Sequence, residues 1–200
     1  MFHHKFDGNK VWFISDLHLQ HKNICSSTTS WASNIDKCRN FSSLDEMDNT
    51  IIDSINSTIP TDAILFNCGD ILFGDKSKLP EIVSRIKCAE HHYIFGNHCD
   101  FVRKNTEYRN LFTSCQDYLE IFCTTKNLGK KQVCMFHYPL KVWNNCNKGA
   151  FAITGHSHGN LPYSDNEKGL DVGWDVFNRP ISFNEVYDIM SKRTFLAKDH

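Results

Sequence analysis

An excess of charge of either sign is missing from this 200-residue sequence, which has 22 basic and 23 acidic residues and a formal net charge of −1. Proteins that bind long nucleic acids need clustered positive charge, because release of counterions supplies much of that affinity. The nearest approach to a basic patch is Lys126 with Lys130 and Lys131, which we interpret as a solvated hairpin turn. The composition therefore argues against extended nucleic acid as a partner and favours a small soluble substrate.

Long apolar segments and paired cysteines are missing as well. No run approaches the roughly 18 apolar residues of a membrane-spanning helix, and the polar residues 1–10 do not have the apolar core of a signal peptide. The nine cysteines are odd in number and form no CxxC pair, which does not fit a disulfide framework or a zinc ribbon. We expect a soluble cytoplasmic protein with reduced thiols and no membrane contact.

What the sequence does have is the composition of a globular domain, with 40% hydrophobic and 22% charged residues. Domains cluster at roughly 100–150 residues, and single hydrophobic cores grow to about 250. We therefore expect residues 1–200 to form a single domain.

Short apolar runs alternate with helical patterns in the first half of the chain. We predict buried strands over residues 11–14, 63–66 and 92–95. Between them, Ser43 has the capping-box spacing of a helix that runs to Pro60, and Leu79 opens a second helix with Pro80 in its first turn. This order of strand, helix and strand implies right-handed crossovers between parallel strands.

A different kind of pairing is predicted beyond residue 115. A glycine-containing turn joins residues 118–124 to residues 132–136 as a hairpin, and the capping-box spacing at Ser182 opens a final helix. The remaining predictions are strands over residues 151–154 and 170–174, a helix over residues 101–113, and an ordered loop with a helical turn over residues 21–40.

Each of five predicted strands is followed by side chains that can hold a metal ion. They are Asp16 with His18, Asp70, Asn97 with His98, His137, and His156 with His158. In open α/β sheets ligands bind outside the carboxyl ends of the strands, so the five loops are expected to converge on one crevice. Each has another explanation when taken alone: the aspartates as helix N-caps, Asn97 as a left-handed turn residue, and His137 as a buried histidine bonded to backbone.

The last of the five loops, GHSHG at residues 155–159, carries two imidazoles one residue apart. Alternate side chains at the end of a strand diverge toward neighbouring positions. Histidine is also the commonest metal ligand. Two metal ions could therefore each take one of these imidazoles, although histidine-rich turns also occur as solvated loops.

In order and residue type, the blocks DxH, GD, GNH, H and GHxH resemble the calcineurin-like metallophosphoesterase superfamily, over residues 16–158. The flanking residues are similar to a compact subgroup of bacterial and bacteriophage genomes. The resemblance implies an α/β fold: a four-layer αββα sandwich of mixed β-sheets with outer helices and a dinuclear metal site at the C-terminal ends of strands.

The resemblance also implies how the ligands divide between two divalent metal ions. Asp16, His18 and His158 would hold the first ion, Asn97, His137 and His156 the second, and Asp70 would bridge them. Carboxylate and imidazole ligands suit borderline ions, so we expect Mn first, with Fe, Zn, Ni or Mg as alternatives. Only a carboxylate has the charge and the two oxygens to lie between two cations.

The activity implied is hydrolysis of a phosphodiester or nucleotide-type phosphoester by a hydroxide that bridges the metals. Asp70 would be catalytic as the bridging ligand. His98 would contact the substrate phosphate and protonate the leaving oxygen. Asn97, His98 and Trp143 are the predicted substrate-binding residues. Trp143 and Tyr138, which follow the strand that ends at His137, could wall the pocket and stack on a base, with simple packing as the alternative.

Two departures from the family pattern lie near these residues. Cys99 separates His98 from Asp100, whereas in the family an acidic residue follows the histidine directly and steadies it. His98 is then either oriented differently or steadied by Asp100 from one position further on, and Cys99 is either a reactive thiol or a buried structural residue. The acidic residue often found three positions after the bridging aspartate is displaced to Asp75.

Two other functions stay open at this point. One is a phosphomonoesterase or protein phosphatase, and the other is a non-catalytic metal-binding scaffold of the same fold. All seven ligand positions are filled, which favours an enzyme.

Overall fold

Ten strands and six α-helices make up the described part of the computed structural model, which comprises residues 4–31 and 38–194. The strands are β1 (His4–Asp7), β2 (Val11–Ile14), β3 (Ile64–Asn67), β4 (Glu90–Ile94), β5 (Ser114–Gln116), β6 (Tyr118–Thr125), β7 (Gly129–Phe136), β8 (Phe151–Thr154), β9 (Gly169–Asp171) and β10 (Ile181–Ser182). The helices are α1 (Leu44–Thr58), α2 (Leu79–Arg85), α3 (Asp100–Arg103), α4 (Thr106–Arg109), α5 (Trp174–Phe177) and α6 (Phe183–Ser191).

The first sheet, in the order β10-β2-β3-β4-β5, is built on the predicted apolar strands. Strands β2 to β5 run parallel, and β10 pairs antiparallel with β2. Every residue of β3 is buried, as is typical of parallel strands that are covered on both faces. The prediction of parallel strands joined by helical crossovers is confirmed for β2, α1, β3, α2 and β4.

The second sheet has the order β1-β6-β7-β8-β9. Strands β6 and β7 form the predicted antiparallel hairpin, with register from Tyr118 opposite Phe136 to Thr125 opposite Gly129. Strands β7, β8 and β9 are parallel, and β1 pairs parallel with β6. Both sheets are therefore mixed.

Alternating side chains along the strands divide the core into layers. On β3, Ile64 and Phe66 face the layer between the two sheets, whereas Leu65 faces the helices. On β8, Phe151 and Ile153 point into the same inter-sheet layer. The two sheets thus pack face to face, as the period of two in strands requires.

The expected mixed α/β architecture with outer helices is confirmed, with one difference in its outermost layer. Helices α1 and α2 cover the first sheet. The outer face of the second sheet is covered by Trp143 and by the 3₁₀ turn Cys146–Lys148. Asn145 and Gly149, on either side of this turn, have left-handed backbone, which ends a helix before it can lengthen.

The segment predicted as one helix over residues 101–113 is divided into α3 and α4. The division falls at Asn105, whose side-chain oxygen accepts hydrogen bonds from the backbone N–H groups of Glu107 and Tyr108. Asparagine is favoured at an N-cap over a helix interior, so a new helix begins there.

Three short edge strands are among the elements that sequence patterns did not predict. Strands β1, β5 and β10 have four, three and two residues, and each is stabilised by a single partner strand at the edge of its sheet. The strand predicted over residues 170–174 ends at Asp171, because Trp174 begins α5.

The loop predicted over residues 21–40 contains a 3₁₀ turn at Lys22–Ile24, while its residues 32–37 lie outside the described residues. Among the helices within residues 4–31 and 38–194, none combines the length and the apolar character that crossing a membrane requires.

Candidate metal centre

Five loops at the C-terminal ends of strands bring the predicted ligands to one edge of the two sheets. The first sheet contributes the loops after β2, β3 and β4, with Asp16, His18, Asp70 and Asn97. The second sheet contributes the loops after β7 and β8, with His137, His156 and His158. The cluster therefore spans the two packed sheets.

Asp16, His18 and His158 form the first group of ligands. Oδ1 of Asp16 lies 3.7 Å from Nε2 of His18 and 3.9 Å from Nε2 of His158. The two imidazole rings stack with their centroids 5.0 Å apart. One ligand atom from each residue lies within 4.8 Å of the others, which is a spacing that a single cation can occupy.

Asn97, His137 and His156 form the second group. The side-chain oxygen of Asn97 lies 3.0 Å from Nε2 of His137 and 3.0 Å from Nδ1 of His156. The other ring nitrogen of His137, Nδ1, lies 2.8 Å from the backbone oxygen of Cys68. That contact makes Nδ1 the protonated nitrogen in neutral His137 and leaves Nε2 directed at the cluster.

Asp70 lies between the two groups. Its Oδ2 is 3.4 Å from Nε2 of His137 in one group and 3.9 Å from Nε2 of His18 in the other. Its Oδ1 accepts hydrogen bonds from the backbone N–H of His98 (3.0 Å) and from the thiol of Cys99 (3.3 Å). One oxygen is thus anchored to protein donors while the other faces both sets of imidazoles.

The carboxylates of the cluster carry the negative charge that cations need. Burial opposes ionisation of Asp70, yet its hydrogen bond with His137 and the nearby imidazoles hold the pKa of Asp70 below its usual range. Burial likewise opposes ionisation of Asp16, and contacts with His18, His137 and His158 hold the pKa of Asp16 below its usual range.

Several buried polar atoms of the cluster have no hydrogen-bond partner among residues 4–31 and 38–194. They are Oδ1 of Asp16 and both ring nitrogens of His18. An unpaired polar atom in a protein interior costs on the order of 1–3 kcal/mol, so native proteins rarely leave one without a partner. A divalent cation would satisfy Asp16 and His18 together, and carboxylate, imidazole and amide ligands suit such ions.

The backbone of the cluster is strained. Five of the seven predicted ligands have left-handed backbone, with φ from 48° to 69°: Asp16, His18, Asp70, His156 and His158. Non-glycine residues adopt this region rarely, and strain of this kind concentrates at functional sites. The surrounding fold therefore holds these side chains in an arrangement that local preferences alone would not give.

Two glycines make room for the carboxylates. A Cβ atom at Gly96 would overlap the side chain of Asp70, and one at Gly155 would overlap Ser15 and Asp16. The glycines of the GNH and GHxH blocks are thus required by close approach of side chains to backbone.

Asp171, at the end of β9, organises the loop that carries His156 and His158. One of its oxygens accepts hydrogen bonds from the Ser157 hydroxyl (2.7 Å) and the Gly159 N–H (2.9 Å). The other accepts from the Gly173 N–H at 2.8 Å. No local sequence pattern indicates this role, because it depends on a contact with the loop after a neighbouring strand.

His98 lies at the rim of the cluster with an exposed side chain. Its ring meets the ring of Phe73 edge to face at 4.8 Å and lies 5.7 Å from the ring of His18. Asp100 instead bonds to Lys104 at 2.6 Å and faces solvent. Asp100 therefore does not steady His98. The ring of His98 contacts the ring of Phe73 instead.

Cys99 is buried, which decides between the two interpretations of this residue. Its sulfur lies 2.7 Å from the Tyr93 hydroxyl and donates to Asp70. Burial raises the pKa of the Cys99 thiol to about 12. Reactive cysteines are accessible and have a depressed pKa, so Cys99 is structural.

Trp143 does not lie with the predicted ligands. Its ring is buried on the outer face of the second sheet, and its indole N–H donates to the backbone oxygen of Ala150 at 2.9 Å. A substrate-stacking role for Trp143 has no support from this placement. Tyr138 is the aromatic residue beside the second group, with its ring 4.6 Å from that of His156.

A cavity of ≈ 810 Å³ lies beside the first group. His18, His98 and His158 line one end of it, and the remaining lining residues include His21, Trp31, Arg39, Phe41, Asn160, Trp174, Asp175 and Asn178. Most of these lie in the aperiodic segment 21–41 or in α5, where sequence patterns gave no functional signal.

Fold and cluster together define an α/β protein with two packed mixed sheets and, at their strand ends, a group of Asp, His and Asn side chains that could hold metal ions. Comparison with protein families is more specific, since the model of the calcineurin-like phosphoesterase family matches residues 9–192, and the chain belongs to that family. Membership supports metal-dependent hydrolysis of phosphoesters as the general activity.

Individual relatives are distant. The chain is 26% identical over 190 residues to an uncharacterised protein of Methanocaldococcus jannaschii, with 92% of each chain covered. It is 23% identical over 207 residues to the gene 66 protein of Mycobacterium phage L5, covering 92% of this chain and 95% of the other. A crystal structure of a protein of unknown function from Aquifex aeolicus shares the fold, with a TM-score of 0.59 and 17% identity over 90% of this chain and 98% of that one.

Proposed function

We propose that this protein hydrolyses a phosphodiester or nucleotide-type phosphoester with two divalent cations, Mn first among them. The observation that carries the proposal is the position of Asp70, whose Oδ2 faces His18 of one ligand group and His137 of the other. A carboxylate shared between two sets of ligands, each of which contains imidazoles, is the arrangement that suits a pair of cations.

The residues of the chain have separate tasks in this proposal. Asp16, His18 and His158 would hold one cation and Asn97, His137 and His156 the other, with Asp70 shared. When bound, two divalent cations supply an activated water and neutralise phosphate oxygens. The side chain of His98 is exposed and lines the cavity, where it would give a proton to the leaving oxygen of a bound ester.

The cavity beside His18 and His158 supports an ester with a bulky organic group. Its volume of ≈ 810 Å³ lies within the roughly 300–1,000 Å³ of pockets for small organic ligands. Trp31, which is 45% exposed, offers aromatic surface, and Asn40, Asn160 and Asn178 offer amide groups. Aromatic and amide side chains together are the surfaces that bases contact.

The test uses purified protein stripped of metal, with Mn²⁺, Ni²⁺, Zn²⁺ or Mg²⁺ added back singly. Hydrolysis of bis-p-nitrophenyl phosphate should appear with at least one ion and should fall by at least a hundredfold in Asp70→Asn. A panel of nucleotides and cyclic nucleotides then identifies the ester. Unchanged turnover in Asp70→Asn, or no bound metal by elemental analysis of the active protein, would contradict the proposal.

A further inference from the structure

His158 is the one predicted metal ligand whose second ring nitrogen meets a carboxylate. Nδ1 of His158 lies 2.6 Å from Oδ2 of Asp175, the second residue of α5. Nε2 of the same ring points back to Oδ1 of Asp16 at 3.9 Å. The imidazole therefore lies between an aspartate that belongs to the cluster and one that does not.

Arg39 holds Asp175 in place through both carboxylate oxygens. Its Nε donates to Oδ1 at 2.7 Å and its Nη2 to Oδ2 at 2.9 Å. The guanidinium also donates to the backbone oxygens of Leu17 (2.5 Å) and Asp16 (2.7 Å), inside the DxH block. Arg39 is 7% exposed, and a bidentate pair of this kind in a buried place fixes orientation as well as charge.

We propose that Asp175 and Arg39 are positioning residues that fix the ring direction and tautomer of His158, so that its Nε2 lone pair faces the cation of the first group. The inference rests on the metal site of the proposed function. A carboxylate that accepts the N–H of a metal-binding histidine orients the ring and raises its basicity. Because Arg39 also bonds the backbone of Asp16 and Leu17, it ties the α5 aspartate to the loop that carries Asp16 and His18.

The hydrogen-bond geometry predicts why aspartate is needed at position 175. Arg39 presents two donors and His158 presents a third, so the side chain must accept on both oxygens. Asparagine has a single acceptor oxygen. If its oxygen faces Nε of Arg39, its NH₂ group faces His158 and selects the tautomer protonated at Nε2, which leaves no lone pair on Nε2 for the cation of the first group. If the asparagine amide is flipped instead, its NH₂ group faces the Nε–H donor of Arg39, and neither group can accept.

The first experiment measures metal binding by isothermal titration with Mn²⁺ on metal-free protein, for the wild type, Asp175→Asn and Asp62→Asn. Asp62 is a matched control, because it also pairs with a cation, Lys10 at 2.8 Å, but lies exposed outside the cluster. We expect Asp175→Asn to weaken the affinity for one of the two bound ions by about 10- to 100-fold, the usual effect of losing such a hydrogen-bond partner. Asp62→Asn should bind both ions as the wild type does.

A second measurement needs only folded wild-type protein, in case Asp175→Asn does not fold. Long-range ¹H–¹⁵N correlation spectra of ¹⁵N-histidine-labelled protein loaded with diamagnetic Zn²⁺ should show His158 protonated at Nδ1, with its signals assigned from His158→Gln. Protonation at Nε2 would overturn the inference, as would unaltered Mn²⁺ affinity in a folded Asp175→Asn. A wild type that binds no metal would instead overturn the proposed function itself.

Discussion

At the scale of single residues, Cys99 shows how this chain stabilises the shared aspartate. Its sulfur accepts from the Asp70 N–H at 3.4 Å, donates to Asp70 Oδ1, and contacts the Tyr93 hydroxyl. We predict that Cys99→Val, which removes these bonds inside the core, lowers the free energy of unfolding by about 1–3 kcal/mol and reduces metal-dependent turnover. Cys99→Ser keeps a donor and an acceptor at this position and should lose less stability than Cys99→Val. Urea unfolding of metal-free protein tests this, and equal stability of Cys99→Val and wild type would contradict it.

His91 gives a prediction for the dependence of stability on pH. Its ring is buried against Phe112, and neither ring nitrogen has a hydrogen-bond partner within the described residues. Burial lowers the pKa of His91 to about 3. Below about pH 6.5 the unfolded chain therefore binds a proton that the folded chain does not, and stability falls as pH falls, by at most about 1.4 kcal/mol per pH unit for this group.

The variant His91→Leu removes the titrating group and keeps the volume apolar. Its stability should decline less steeply than that of the wild type between pH 6.5 and pH 4, as measured by urea unfolding at several pH values. Parallel pH profiles of stability for the two proteins would show that His91 does not contribute to the pH dependence of stability.

At the scale of elements, α6 depends on a complete capping box. The Ser182 hydroxyl accepts from the Glu185 N–H, and Glu185 accepts from the Ser182 N–H at 3.0 Å and pairs with Arg179. Ser182→Ala should cost about 0.5–2 kcal/mol of unfolding free energy, because α6 carries Phe183 into the inter-sheet core. The control is Ser191→Ala at the last residue of α6, where urea unfolding should show a smaller loss.

The capping box at α1 differs from its sequence pattern in one half. Ser43 accepts from the Glu46 N–H at 3.0 Å as predicted, but the Glu46 carboxylate accepts from the N–H of Ser42, one residue earlier. The spacing therefore predicted where the helix begins but not which backbone group the glutamate meets.

The starts of helices with a local capping signal could be predicted from the sequence. Strands β1, β5 and β10 could not, because their pairing partners supply the stabilisation.

The candidate site likewise contains residues that could be predicted from the sequence and residues that could not. Its seven ligands follow strands with strong local patterns, so their order and residue types could be predicted. Arg39 and Asp175 are 136 positions apart in the chain, and their contact exists only after both sheets have assembled. The closeness of Trp143 in sequence to His137 favours a place at the substrate, but its ring packs on the outer face of the second sheet.

At the scale of the whole molecule, the ligand cluster lies where the strand-end loops of the two sheets meet, beside the apolar layer that the sheets share. Asp16, Asp70 and Asn97 come from loops of the first sheet, and His137 and His156 from loops of the second. A cation bound only by the folded state stabilises it by RT ln(1 + [M]/Kd), which is about 2.7 kcal/mol at a hundredfold excess over Kd. Metal binding should therefore stabilise the contact between the sheets as well as enable catalysis.

We predict that chelation lowers the thermal midpoint by several degrees, since about 1 kcal/mol corresponds to roughly 2–4 °C for a chain of this size. Hydrogen exchange should rise most in the strand-end loops, residues 67–70 and 155–159, while α1 on the outer face of the first sheet keeps its protection. Asp70→Asn, which removes the shared carboxylate, should show a much smaller change on chelation. An equal change in that variant, or exchange that rises uniformly over α1 and the loops, would mean that the cluster does not link the sheets through metal.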